Sequence, residues 1–257
     1  MHVQSYSKMQ SFFRVYGPSI PKGPGGKARV LDVGSKTYDG HPNYKTIVDA
    51  AGCDYVGLDL EHGLNVDIVP QTPYVWPEIA DASIQVAISG QTFEHNPFFW
   101  ATMSEMARVL VPDGFLVIIA PGGGPVHRFP IDCYRFYPDA WSALCSLVGV
   151  ELIETYWEPD SVEPQLEEWA QWRDTMLIAR RPRVEQPETV ERRAQLTAPF
   201  RGGFGSFEPV SYRAGPAIDD YLSSVPRAAP KPFARLRRRL SLKVYPKHVF
   251  PLFEPTE

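Results

Sequence analysis

Short apolar runs alternate with amphipathic segments along most of the chain. The apolar runs, rich in β-branched and large aliphatic residues, predict seven strands at residues 28–33, 55–59, 65–69, 83–89, 114–120, 150–155 and 175–179. Helical patterns lie between several of them, at 43–51, 97–110 and 138–147. Strands that alternate with helices are typical of a mostly parallel sheet with helices on both faces.

The helix before the fifth predicted strand has the clearest pattern. Asn96 is a suitable N-cap and Pro97 suits the first helical position. Apolar residues then recur at helical spacing on one face, at Phe99, Met103, Met106 and Leu110. The sequence 96–98 superficially resembles the Asn-Pro-Pro-aromatic site of amino-directed methyltransferases. Its position at a helix start favours the capping interpretation.

Ligands of open parallel sheets bind beyond the carboxyl ends of the strands, where the strand order reverses. The first such loop follows Asp32 and Val33 and contains a glycine, Gly34. A dinucleotide-binding loop needs two further glycines to bring backbone N–H groups against pyrophosphate. Those two positions hold Lys36 and Asp39. The acidic loop instead suits a cationic sulfonium group, so the sequence favours S-adenosylmethionine over NAD.

Four sequence blocks, in order, resemble the class I S-adenosylmethionine-dependent methyltransferases. They are Val-Leu-Asp-Val-Gly at 30–34, Val-Gly-Leu-Asp at 56–59, Ser-Gly-Gln-Thr-Phe-Glu-His at 89–95 and Met-Ala-Arg-Val-Leu-Val-Pro-Asp-Gly-Phe-Leu at 106–116. The last two blocks resemble a small bacterial, O-methyltransferase-like branch. The resemblance covers about residues 27–181 and implies a Rossmann-like methyltransferase fold with a seven-stranded sheet. The chain departs from the family where Gly-Ser-Lys replaces the usual Gly-x-Gly.

The resemblance also implies which residues hold the cofactor. Asp32 and Gly34 are expected against the methionine moiety, Asp59 on the ribose and Asp67 near the adenine amino group. The full expected set is Asp32, Gly34, Ser35, Asp59, Asp67, Ser89, Gly90 and Gln91. For Ser89 and Gly90 a purely structural role, as the end of a buried strand, stays equally open.

The loop at 121–138 carries the candidate chemistry for an acceptor. It combines three consecutive glycines, a histidine, two arginines, an aspartate and four aromatic rings. Transfer to a hydroxyl needs a base, and histidine is suited to that task near neutral pH. We predict His127 as general base, with Asp132 orienting it or the substrate and His95 as the second candidate for a catalytic residue.

The same loop supplies the expected substrate contacts, Arg128, Tyr134 and Arg135. Aromatic faces and charged side chains suit a sugar, glycan or other polyhydroxylated acceptor. An ion-pair network that rigidifies the loop is an equally good interpretation of its charged residues. Glu94, His95, His127 and Asp132 together offer ligands for Mg²⁺, but no ligand spacing requires a metal.

Charge and proline are distributed unevenly along the 257 residues. Residues 182–257 hold 13 Lys and Arg against 8 Asp and Glu and 11 of the 26 prolines, whereas residues 1–181 carry a net charge of −9. This shift predicts an N-terminal segment and linker (1–26), a cofactor-binding domain (27–181) and a Pro/Arg-rich C-terminal extension (182–257) that acts as a lid or dimer contact.

Composition narrows the remaining function classes. The chain has no apolar run long enough to span a membrane and no secretory signal pattern, and its three cysteines are too scattered for a disulfide framework. These features predict a soluble, cytoplasmic enzyme. The expected partner is a small hydroxylated acceptor, with nucleic acid disfavoured and a homodimer contact open. The alternatives are an RNA or protein methyltransferase that docks through the basic run 235–239, or a non-catalytic scaffold.

Overall fold

The computed structural model describes residues 3–38, 43–157 and 172–205, together with residues 216, 217 and 223. The chain divides into two compact units, Met1–Gly205 and Ser206–Glu257. All the elements described here belong to the first unit. The basic run 235–239 and Asp39 lie outside the described residues.

A single sheet with helices on both faces organises the first unit. Its strands are β1 Arg29–Val33, β2 Asp54–Leu58, β3 Ile84–Gly90, β4 Leu110–Pro121, β5 Glu151–Trp157 and β6 Asp174–Arg180. The helices are α1 Val3–Tyr16, α2 Lys45–Ala50, α3 Phe99–Val109, α4 Pro138–Val148 and α5 Pro187–Arg201. None of these helices combines the length and apolar character needed to cross a membrane.

The strand order is β2-β1-β3-β4-β6-β5. β2, β1, β3 and β4 run parallel to one another, and β6 is antiparallel to both β4 and β5. Along the chain, β2 is added on one side of β1 and β3 on the other, so the order in which strands are added reverses between β1 and β3. This is the doubly wound arrangement that the alternation of strands and helices predicts, and the mostly parallel α/β fold is confirmed.

Each strand of the sheet centre is buried on both faces, which explains its continuous apolar sequence. Leu31 points into one core cluster with Met103 of α3 and Trp141 of α4. Val30 points into the other, with Phe12 of α1 and Ile47 of α2. Successive residues of a strand face opposite sides, so a strand buried on both faces has no polar alternation.

The described residues form six strands rather than the seven predicted. The predicted strand at 65–69 is reduced to a single parallel bridge between Leu58 and Ile68. The Asp67 carboxylate accepts the Gly57 N–H at 2.8 Å, so a side chain replaces a backbone partner at this edge of β2. Pro70 follows directly and cannot donate a ladder hydrogen bond.

The predicted N-cap of the helix before β4 is also wrong by two residues. α3 begins at Phe99, and the Asn96 side chain instead accepts the Phe98 N–H at 3.0 Å and donates to Thr102 Oγ1 at 2.6 Å. Asn96 thus links the segment before the helix to its first turn without being the N-cap residue.

The helix α1 has no counterpart among the predicted elements, which treat residues 1–26 as a linker. Met9, Phe12 and Phe13 are buried, and the rings of Phe12 and Phe115 lie 5.6 Å apart edge to face. Met9, Phe12, Phe13 and Tyr16 have the i, i+3, i+4, i+7 spacing of an apolar helix face, so the signal is present in the sequence.

Candidate functional site

The carboxyl ends of β1, β2, β3 and β4 meet at one edge of the sheet, where the strand order reverses between β1 and β3. The start of β6 lies at the same edge, because Asp174 pairs with Pro121 at the end of β4. The predicted site residues are therefore carried to this edge by four strands, β1 to β4, or the loops that follow them.

Gly34 fixes how the loop after β1 meets the loop after β3. Its φ angle is +83°, and a Cβ on it would lie 2.1 Å from Thr92 Oγ1. Its N–H donates to the Leu58 carbonyl at 2.9 Å. Only glycine satisfies both the backbone angle and the close approach.

Asp59, at the end of β2, is held by backbone donors. Lys36 N–H donates to Oδ2 at 2.9 Å and Leu60 N–H to Oδ1 at 2.7 Å. Burial raises the pKa of Asp59 in spite of these hydrogen bonds. The Lys36 side chain turns away to Glu61, with Nζ 2.6 Å from Oε2. The position of the second glycine in a phosphate-binding loop is thus occupied by an ion-paired lysine.

Asp32 lies under this loop as a buried acid. The Tyr55 hydroxyl donates to its Oδ2 at 2.8 Å. Desolvation raises the pKa of Asp32 to about 7, against the opposing effect of the Tyr55 hydrogen bond. Ser35 is also buried at this turn. The β1 side of the edge therefore holds a buried acid, Asp32, and a half-buried one, Asp59, while the lysine of the loop is paired with Glu61.

The end of β3 is closely packed. The Ser89 hydroxyl donates to the Val33 carbonyl at 2.8 Å, which ties β3 to β1. A Cβ on Gly90 would lie 2.0 Å from the Tyr44 hydroxyl oxygen. Gln91 has a φ of 58° and donates from Nε2 to Asp174 Oδ1 at 3.2 Å.

The first helix also reaches this edge, a contact that the sequence interpretation missed. Ser5 Oγ lies 2.6 Å from the Tyr44 hydroxyl oxygen, and Lys8 Nζ lies 3.4 Å from Asp174 Oδ2. Gln4 is buried beside them along the helix. The polar residues of the first turns of α1 thus cover the point where the strand order reverses.

In the loop after β4, Asp132 and Arg135 form a bidentate ion pair. The two guanidinium nitrogens lie 2.6 and 2.7 Å from the two carboxylate oxygens, and the His127 backbone N–H adds a third hydrogen bond at 2.7 Å. Burial opposes ionisation, but these donors outweigh it and hold the pKa of Asp132 below its ordinary value. Arg135 also donates to the carbonyls of Pro125 and Tyr134. The ion pair and these hydrogen bonds join the first half of the loop, at Pro125 and His127, to its second half.

The two histidines predicted to be catalytic lie against each other. Their ring centroids are 4.8 Å apart, and the His127 ring also packs on Trp172 at 4.3 Å. His127 Nδ1 lies 3.5 Å from Asp132 Oδ2, too far for a strong hydrogen bond. Burial lowers the pKa of His127, and lowers that of His95 to about 4. Both imidazoles are neutral at pH 7.

Glu94 is a buried acid that lies next to the two histidines. Its side chain is 1% exposed, and Oε1 lies 3.6 Å from His95 Nε2. Within the described part of the chain, neither carboxylate oxygen has a hydrogen-bond partner. Burial raises the pKa of Glu94 to about 8. Of the four residues considered as Mg²⁺ ligands, the structure brings Glu94, His95 and His127 together, with ligand atoms within 4.8 Å.

The predicted substrate residues differ in their surroundings. Tyr134 donates its hydroxyl to the Pro97 carbonyl at 3.0 Å and packs edge to face on Phe99. Arg128 is half-buried in the loop beside His127. Phe129 and Tyr38 are exposed, and their ring centroids lie 5.4 Å apart. Together they form an aromatic surface that faces solvent.

Comparisons with known proteins find the fold but no sequence relative. No protein-family model matches the chain, and no curated protein matches it by sequence. Among solved structures, 1,6-didemethyltoxoflavin-N1-methyltransferase from Burkholderia thailandensis, with bound 1,6-didemethyltoxoflavin and S-adenosylhomocysteine, has a TM-score of 0.52 at 14% identity. The alignment covers 69% of this chain and 78% of that one.

A second structure, a candidate sarcosine dimethylglycine methyltransferase from Galdieria sulphuraria, also has a TM-score of 0.52. It is 15% identical over 70% of this chain and 86% of that one. The likeness to both structures confirms the predicted Rossmann-like methyltransferase fold. At these identities it extends to the fold alone.

Proposed function

We propose that this protein is an S-adenosylmethionine-dependent methyltransferase that methylates a hydroxyl of a sugar, glycan or other small polyhydroxylated acceptor. The observation that carries the proposal is the acidic edge at the reversal of strand order, with Asp32 buried and Asp59 held by backbone N–H groups. The methyltransferase-like fold supports the same assignment. A sulfonium cation is compatible with this charge, whereas a pyrophosphate is not.

In this proposal Asp59 accepts hydrogen bonds from the ribose hydroxyls. Its carboxylate is oriented by Lys36 and Leu60 N–H groups and keeps lone pairs for a ligand. Asp32, Gly34 and Ser35 contact the methionine moiety. Asp67 lies near the adenine, where Oδ2 already accepts the Gly57 N–H.

The end of β3 forms the floor of the proposed cofactor site. The Ser89 hydroxyl donates its proton to the Val33 carbonyl. Ser89 therefore contributes to the floor by packing rather than by donating a hydrogen bond to the cofactor. Gly90 and Gln91 continue this floor towards Asp174.

The proposed chemistry is a direct transfer with His127 as base. The acceptor oxygen attacks the methyl carbon, the carbon–sulfur bond breaks, and S-adenosylhomocysteine leaves as a neutral thioether. The hydroxyl proton passes to the neutral imidazole of His127. Asp132 positions His127 through its backbone N–H, and His95 packs against the ring.

The acceptor is proposed to lie along the loop after β4. Arg128, Tyr134 and Arg135 are the proposed substrate residues, with Arg135 acting mainly through the loop that it closes. The exposed ring of Phe129 offers a face on which a sugar ring can stack.

Calorimetric titration with S-adenosylhomocysteine tests the cofactor assignment. We expect one site per chain, no binding of NAD, and an affinity about 10-fold or more weaker in Asp59→Asn, because a hydrogen bond to a charged group is lost. The matched control is Asp54→Asn, which removes an exposed carboxylate at the opposite end of β2. Absence of binding to the unmodified chain would overturn the proposal and favour a non-catalytic scaffold.

Methylation assays with a panel of sugars and polyols test the acceptor and the base. His127→Gln should lower kcat by about 100-fold or more with little change in KM for the cofactor. His62→Gln, which alters an exposed histidine of another loop, should leave kcat unchanged. Because burial lowers the pKa of His127, the rate should fall only below pH 6.5, the ordinary value for imidazole. Methylation of RNA or protein and of no small acceptor would refute the acceptor class.

A further inference from the structure

We propose that Glu94, His95 and His127 bind a divalent first-row transition metal, with Zn²⁺ as the best-matched ion. The side-chain ligand atoms of the three residues already lie within 4.8 Å of one another. Metal binding is inferred from the geometry of the cluster alone, whereas the part that the metal would play in activating an acceptor rests on the proposed function.

The Glu94 carboxylate is the first reason. It is 1% exposed, and within the described residues neither oxygen accepts a hydrogen bond. A buried carboxylate without a partner is costly, and a bound cation supplies the missing partner. His95 Nε2 lies 3.6 Å from Glu94 Oε1.

His95 is arranged as metal-binding histidines commonly are. Its Nδ1 lies 2.5 Å from the Ile131 carbonyl oxygen. A carbonyl only accepts, so Nδ1 carries the proton and Nε2, 3.6 Å from Glu94 Oε1, keeps its lone pair for a ligand. Histidine ligands characteristically donate the second ring N–H to a backbone carbonyl or carboxylate in this way.

His127 brings the third ligand from the loop after β4. Its position is set by the Asp132 carboxylate, which accepts its backbone N–H, and by the Trp172 ring at 4.3 Å. Its side chain is 39% exposed, so this side of the cluster is open to solvent. A metal held by these three residues would be open to solvent on the His127 side, where water or an acceptor oxygen could bind.

The donor set selects the metal. Two imidazole nitrogens and one carboxylate oxygen suit Zn²⁺, Fe²⁺ or Co²⁺, whereas Mg²⁺ prefers oxygen ligands. Ligand atoms around a tetrahedral Zn²⁺ are about 3.4 Å apart for bonds of about 2.1 Å. Side-chain rotations that close the largest gap by about 1.4 Å are therefore sufficient. Asp132 is not a ligand, because Arg135 occupies both of its oxygens.

Metal binding changes the role of His127. A coordinated imidazole would not accept a proton at the bound nitrogen, and a metal held here would instead supply activation of the acceptor by lowering the pKa of an oxygen bound to it. In that case a chelator should abolish methyl transfer by the metal-bound protein, whereas transfer that uses His127 as base should be insensitive to it.

The test is a Zn²⁺ titration of the full chain without an affinity tag, after removal of metal with a chelator. We expect one Zn²⁺ per chain, and Co²⁺ substitution should give the visible absorption of a four-coordinate site. Glu94→Gln and His127→Gln should each weaken Zn²⁺ binding by more than about 100-fold, beyond the loss caused by removing an outer-shell partner.

The controls are His62→Gln and Cys133→Ser, which remove an exposed imidazole and an exposed thiol outside the cluster. Both should bind Zn²⁺ as the unmodified chain does. Absence of stoichiometric binding, or binding that survives Glu94→Gln and His127→Gln, would overturn the proposal. Should Glu94→Gln not fold, His127→Gln decides alone, because its half-exposed ring tolerates replacement. Binding of S-adenosylhomocysteine, measured on the same samples, reports separately on the cofactor site.

Discussion

Two buried carboxylates lie within one site and have opposite environments. Asp132 is 2% exposed and receives three short hydrogen bonds, two from Arg135 and one from the His127 N–H. Glu94 is 1% exposed and receives none within the described residues. The pKa of Asp132 is accordingly held below its ordinary value, whereas that of Glu94 is raised to about 8.

The difference separates a structural charge from one that lacks a partner in the protein. Asp132 is neutralised by a residue three positions along the chain, so its charge organises the loop and is not free for a ligand. Glu94 destabilises the fold when ionised, and folding tolerates it only because other contacts compensate. Buried charges of the second kind mark candidate ligand positions.

The largest expected effect comes from breaking the satisfied pair. Asp132→Asn leaves Arg135 without its counter-charge and should lower the free energy of unfolding by about 4 kcal/mol. Because the pKa of Asp132 is depressed, its stabilisation is present above the ordinary pKa of 3.8 and is lost as the pH falls below it. Urea unfolding at pH 7 measures the change. Glu151→Gln, in an exposed pair with Arg180, is the control and should cost about 0–1 kcal/mol.

A smaller loss is expected when the turn before Glu94 is displaced. Gly34→Ala places a Cβ 2.1 Å from Thr92 Oγ1 at a φ of +83° and should cost about 3 kcal/mol from backbone strain and overpacking together. Gly52→Ala has a similar φ of +70° but no atom within 4 Å, so it should cost only about 1 kcal/mol. Equal losses in the two variants, measured by urea unfolding, would refute the close contact between the loops.

The smallest effect has the opposite sign. Glu94→Gln should stabilise the metal-free protein by about 1–2 kcal/mol at pH 8, because an uncompensated buried charge is removed. A raised folded-state pKa means that the unmodified chain loses stability as the pH rises from 4.5 to about 8, and the variant should show a flatter dependence there. Thermal melts between pH 5 and about pH 8 measure both slopes. A destabilised variant with an unchanged slope would show that Glu94 is satisfied after all.

Much of the fold is predictable from the sequence because strands buried on both faces have continuous apolar runs, as in β1, β3 and β4. The predicted strand at 65–69 is reduced to a bridge because pairing at a sheet edge depends on tertiary contacts, here the Asp67 side chain on Gly57. The helix α1 is missed although its apolar spacing is regular, because a run of glycine and proline follows it and suggests a linker.

The site is predictable in its chemistry and only partly in its pairings. The loop at 121–138 identifies His127, Asp132 and Arg135 as charged or titratable groups near one edge. An ion-pair network within this loop is one of the two interpretations that the sequence offers, and Arg135 does bind Asp132, but the surroundings of Glu94 depend on how the loop closes. Among the residues that the structure describes, Glu94 is left without a paired cation because Arg135 is held by Asp132 when the loop closes. No sequence pattern around Glu94 indicates this outcome.

The contact between α1 and β6 has a consequence for how the chain is made. Lys8 and Asp174 are separated by 166 positions, so α1 has its ion-pair partner in the last strand of the sheet. Until β6 is synthesised, the apolar face of α1 lacks Met176 and Ile178, two of the side chains that share its core cluster. The packing of α1 is therefore complete only when β6 has been synthesised, which couples the first helix to the last strand during folding of the unit.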